Sequence, residues 1–140
     1  MALATGQMLR DLMCRRMTGA DGYSDAFELV FFPGNSPPYI TTTVTDAPLV
    51  VFPLAVGWAN YFANEGVVMI AEQNANTTTA GVAAFFRFNG IKSGVTSALL
   101  QGTVGTIGSG ADMIFSNTGW PVGLPIKIKG LRFYPPQFNN

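Results

Sequence analysis

The sequence predicts a mainly β protein: an antiparallel β-sandwich or jelly roll preceded by one N-terminal amphipathic helix. Three observations carry this prediction. Helical spacing of apolar residues is confined to the beginning of the chain. After Gly22 the chain breaks into short runs rich in Val, Ile, Phe, Thr and Tyr, residues that suit a pleated, half-buried surface. Gly, Pro, Asn and Asp separate those runs at intervals that leave no room for crossover helices.

The helix is read over residues 2–17, ALATGQMLRDLMCRRM. Met8, Leu9, Leu12, Met13 and Met17 fall on one face, with Gln7, Arg10, Asp11 and Arg15 opposite. Thr18-Gly19 ends it, glycine being suited to a left-handed cap, and basic residues in the last turn complement the helix dipole. Strands are expected over 27–32, 40–45, 49–56, 66–72, 79–88, 97–104, 112–116 and 124–134. The turns between them include Pro33-Gly34-Asn35-Ser36-Pro37-Pro38, Asn64-Glu65-Gly66, Asn89-Gly90 and Asn117-Thr118-Gly119. In the last strand Ile126 and Ile128 alternate with Lys127 and Lys129, one face core and one wet, until Gly130 breaks the rhythm. The organisation that follows is a helix or arm over 1–20, a β-sandwich domain over 21–136 and a tail over 137–140. The arm's Met/Leu stripe suits packing on its own domain, in which case removal lowers the melting temperature, or docking on another subunit; docking is the expectation, so that removal of the arm leaves the melting of the rest unchanged.

Composition narrows the function classes. Only 11% of the 140 residues are charged, against about 25% in an ordinary soluble protein. Such a chain solvates itself with Thr, Asn and Gly or covers part of its surface with partners. Eight basic and eight acidic side chains cancel, so no global field draws it to nucleic acid or to an anionic membrane. Pro48 and Pro53 break the longest apolar stretch far short of a membrane span. Arg10, Asp11, Arg15 and Arg16 interrupt any signal-peptide core, which points to a cytosol-like compartment or another route of exit.

The run GTVGTIGSGAD over 102–112, with Gly105, Gly108 and Gly110 spaced as GxxGxG, invites a phosphate-binding reading. A P-loop requires a lysine after its glycines, and a dinucleotide fold requires a helix after them. Neither follows here, because Ala111–Phe115 is strand-like. The segment is read as a long hairpin connection whose glycines supply positive φ. With no histidine and a single cysteine, Cys14, placed in a helix without a base, nucleophilic triads are excluded. The acids Asp11, Asp21, Asp25, Glu28, Asp46, Glu65, Glu72 and Asp112 are scattered and fit capping or solvated roles. No catalytic residue, cofactor site or metal site is therefore expected. Phe86 and Phe88 are placed on a core face, with Phe85 opposite beside an exposed Arg87. Trp58 and Trp120 stand next to turn residues, where each suits either a core cap or an interface anchor.

The segments TAGVAAFFRFNG (79–90) and LQGTVGTIGSGADMIFSNTGWPVGLPIKIKGLRFYPP (100–136) together resemble a family of small virion proteins of tailed bacteriophages. The N-terminal helix and FELVFFPGNSPP (27–38) extend the likeness, while residues 40–75 depart from it. The resemblance implies a non-enzymatic virion component assembled in the host cytoplasm, an N-terminal helix followed by a β-sandwich. Its expected form is a capsid decoration or cement protein. A neck, tail or baseplate subunit is the alternative, and a carbohydrate-binding adhesion module using Trp58, Tyr61 or Trp120 is another. Expected partners are the major capsid protein, other virion subunits and further copies of the chain, with no nucleic acid and no membrane. The candidate contact residues are Met8, Leu9, Arg10, Leu12, Met13, Arg16, Met17, Trp58, Tyr61, Trp120, Phe133, Tyr134 and Phe138.

Overall fold

A computed structural model describes residues 12–62 and 66–134. Met8, Leu9, Arg10 and Phe138 lie outside the described residues, as do most of the arm and the tail. The described part of the helix, α1, covers 12–18. The rest is mainly β: β1 (Ala26–Pro33), β2 (Val50–Ala55), β3 (Ala59–Phe62), β4 (Gly66–Met69), β5 (Gln73–Asn76), β6 (Gly81–Lys92), β7 (Val95–Gly105), β8 (Met113–Ile114), β9 (Gly119–Trp120), β10 (Pro125–Ile128) and β11 (Arg132–Phe133).

The largest sheet is curled and has the order β2-β1-β6-β7-β8, with β9 pairing the start of β6. Two small sheets, β10-β5 and β11-β4-β3, complete the strand set. Pairing is antiparallel except between β7 and β8, where Val104 and Gly105 lie beside Met113 and Ile114 in parallel.

Register explains the core. Across β2, β1 and β6, Phe52, Leu29 and Phe88 stand side by side, and so do Val50, Phe31 and Phe86. Successive side chains of a strand point to opposite faces, so these rows share one face of the sheet. That face packs with Val67 and Met69 of β4, Ile126 and Ile128 of β10, Trp58 and Trp120 in a single cluster. Phe31 lies at the centre, edge-on to Phe52, Phe115 and Trp120.

Two irregularities break the alternation in useful ways. Phe88 pairs with Leu100 while Asn89 pairs with Ala98, leaving Leu99 as an extra residue in β7. The resulting bulge lets consecutive leucines, Leu99 and Leu100, both pack against the main cluster. At Gly66 the backbone has φ +78°, and an added Cβ would collide with the Phe133 carbonyl oxygen. Only glycine allows β4 and β11 to approach so closely.

The opposite face of the main sheet carries Val30, Phe32 and Phe85, with Phe32 and Phe85 stacked at 5.1 Å. Residues 40–45, expected as a strand, form no strand. The connection from β1 to β2 instead runs over this face: Val44 packs on the apolar trio, while Pro37 and Tyr39 offer carbonyls to Gln101 and Arg87. The expected turn at Asn89-Gly90 is also corrected, since both residues lie inside β6. Asn89 donates to Glu28 Oε1 at 3.0 Å, and a side chain at Gly90 would strike Ser24. The turn comes later, at Ser93-Gly94, where both residues have positive φ and Lys92 pairs with Val95. Strands β3, β5 and β9 were not expected, and the long last strand divides into β10 and β11 at 129–131.

Candidate functional site

The glycine-rich segment closes on itself. Asp112 Oδ2 accepts from the Thr103 amide at 2.8 Å and from its hydroxyl at 3.1 Å, while the Asp112 amide donates back to Thr103 Oγ1. The Phe115 amide donates to the Gly105 carbonyl, which ties the two ends of the loop together. Gly108 and Gly110 have positive φ as expected, but Gly105 does not. An antiparallel hairpin is not formed, because β8 runs parallel to β7. The aspartate belongs to the loop's own scaffold, and among the described residues no helix follows to face an anion.

Chemistry elsewhere is sparse. Among the described residues there is no group of three or more His, Cys, Asp or Glu positioned to hold a metal ion. No helix among them is long and apolar enough to cross a membrane. Cys14 is fully buried, facing the core from α1.

The candidate contact residues divide sharply. Met17, Trp58 and Trp120 are buried in the main cluster. Trp58 Nε1 donates to the Met17 carbonyl at 2.8 Å and its ring packs at 5.3 Å from Phe88. Trp120 Nε1 donates to the Asn117 carbonyl at 2.7 Å. Neither indole presents a face on which a sugar ring can stack, and Tyr61 is half-buried against the same cluster. Arg16, a candidate contact residue, is engaged within the chain: it pairs with Asp21 at 2.6 Å and lies 3.8 Å over the Tyr23 ring. Burial alone would raise the pKa of Asp21, but Arg16 and the Tyr23 amide outweigh it and hold the carboxyl below its usual value.

The remaining candidates come together. Leu12 and Met13 of α1 and Phe133 of β11 line one groove, with the bulged Leu99 and Leu100 from β7. A second depression of about 350 Å³ shares Met17, Leu100 and Phe133 with it and runs on towards Met113, Arg132 and Tyr134. Leu12 is 50% exposed and Tyr134 58% exposed, so the rim offers apolar surface to solvent. Residues from opposite ends of the described chain thus meet around one apolar groove. Its floor was missed in the sequence, although the signal was there: Leu99-Leu100 breaks the two-residue alternation of a strand.

Comparison of the chain with protein-family models, with curated proteins and with solved structures finds no match. The likeness to phage virion proteins therefore rests on the quoted segments alone.

Proposed function

We propose that the chain is a non-enzymatic structural subunit of a phage particle that works by being contacted, most concretely a decoration protein seated on the head lattice. The observation that carries this reading is the apolar groove between α1 and β11. Exposed Leu12 on its wall and exposed Tyr134 in the adjoining depression, in a chain with 11% charged residues, make it a surface suited to cover by another subunit. On a repeated lattice, modest contacts of this size add up through multivalency. The shared cluster beneath the curled sheet and the two small sheets further supports reading them as sandwich-like layers. A sugar-stacking role is not part of the proposal, since both tryptophans are core residues.

Quantitative mass spectrometry of purified particles tests it. A ratio of about one copy, or a simple fraction, per major capsid subunit is the expected result. About a dozen copies per particle would move the protein to the neck or tail. Absence from particles would sink the virion reading altogether.

A further inference from the structure

Arg87 was expected to be exposed on the outer face of its strand, and it is not: only 7% of its surface is accessible. Its Nε donates to Gln101 Oε1 at 2.8 Å and Nη2 to the Tyr39 carbonyl at 3.3 Å. A guanidinium carries five N–H donors, so three of them have no acceptor among the described residues. Glu28, two positions along β1 from Arg87's partner Val30, accepts from Asn89. Among the described residues no carboxylate forms an ion pair with Arg87. Burial lowers its pKa from the ordinary value, yet an arginine stays protonated, so the buried charge persists. Arginine is rarely this buried without a counter-charge, because desolvating the cation is costly.

The side chain lines a groove of about 460 Å³ between residues 40–44 and the outer face of β6 and β7. Thr41, Thr43, Thr96, Ser97 and Asn89 line it, with Phe32, Ile40 and Val44 among its apolar residues. This volume lies within the small-ligand range. The guanidinium is held in place from behind, because Gln101 is itself fixed by the Pro37 carbonyl at 2.8 Å and Ser36 Oγ at 3.2 Å. Nη1 and the second N–H of Nη2 have no acceptor among the described residues, and a guanidinium holds such donors in one plane, the pattern that a carboxylate accepts in bidentate fashion.

We propose that this groove binds a small hydroxylated carboxylate, its carboxylate on the outer edge of Arg87 and its hydroxyls against the Thr and Ser side chains. The inference is independent of the assembly reading, since the groove lies across the sheet from the one between α1 and β11.

Amide chemical shifts of the full chain, titrated with sodium glucuronate, with sodium phosphate and with sodium chloride as the ionic-strength control, test it. Glucuronate is expected to give saturable shifts centred on Thr41, Asn89 and Ser97. Arg87→Gln should weaken binding about tenfold or more, and the exposed Ser97→Ala by about threefold with the fold unchanged. Should Arg87→Gln fail to fold, Ser97→Ala and Thr43→Val supply the readout. The proposal is overturned by shifts no larger than chloride gives, by saturation with phosphate alone, by shifts centred on Lys127 and Lys129, or by binding indifferent to every variant.

Discussion

Single residues in this chain are held by unusually specific partners, and Trp58 shows what that is worth. Its indole fills the core beside Phe88 while its Nε1–H satisfies the carbonyl of Met17, forty-one positions earlier. Trp58→Phe shrinks the ring and leaves that buried carbonyl without its donor. The expected loss is about 2 to 3 kcal/mol, read from urea unfolding followed by circular dichroism. Asp25 provides the pH counterpart. The Ser93 amide, then Lys92 at 3.1 Å, hold its carboxyl below the ordinary 3.8. A folded-state pKa lower than the unfolded one means that the carboxylate stabilises the fold above the unfolded value. That contribution is lost as the pH falls through the folded value, so the advantage of the wild type over Asp25→Asn should be full at neutral pH and fade below about pH 3.8. Acid unfolding of the two proteins checks the sign, and an advantage that grew on acidification would refute the assignment.

At the scale of elements, α1 behaves as part of the core. Cys14 and Met17 are buried in the main cluster, the Met17 carbonyl receives Trp58, and the Gly57 amide donates to the Thr18 carbonyl at 3.0 Å. Deleting residues 1–18 should therefore lower the melting temperature by about 10 °C, whereas a docking arm would leave it unchanged; differential scanning calorimetry separates the two. The strands β1, β2, β6 and β7 were legible because their apolar residues are dense and bounded by strong turn residues. Of the expected stripe of α1, Met17 is buried while Leu12 is half exposed, and Cys14, outside that stripe, is fully buried; periodicity does not say whether such a face packs on its own chain or on another. Asn89-Gly90 misled because a dipeptide's turn preference is local, whereas Asn89 bonds Glu28 and Gly90 leaves room for Ser24 across the sheet. The segment 40–45, with Thr41–Thr43, misled in the same way: β-branched residues suit a strand, but this segment lies over the outer face of the sheet instead of pairing at an edge. Of the groove, its apolar ends could be read from sequence; Leu99-Leu100 broke the strand alternation that a bulge explains, but where the register slips depends on the partner strand.

At the scale of the whole molecule, scarcity of charge is the dominant fact. The ion pairs on the described surface, Arg16–Asp21, Lys92–Asp25 and Lys127–Glu72, are partly or largely exposed. Pairs of this kind contribute little individually. Association through such a surface must come chiefly from apolar burial, which has a direct consequence for salt. In about 1 M sodium chloride the Debye length falls to about 3 Å, enough to screen steering by exposed charges while leaving apolar contact intact. If the groove between α1 and β11 is the docking face, loading of the chain onto its particle should survive that salt. It should also be abolished by Leu12→Glu combined with Tyr134→Ser. Both positions are more than half solvent-facing or close to it, so the isolated double variant should keep its stability to within about 1 kcal/mol. Particle loading measured by sedimentation, beside melting of the isolated variant, distinguishes a lost contact from a lost fold. Loading that collapsed in salt, or that persisted in the folded double variant, would place the contact on another surface and leave the groove as internal packing.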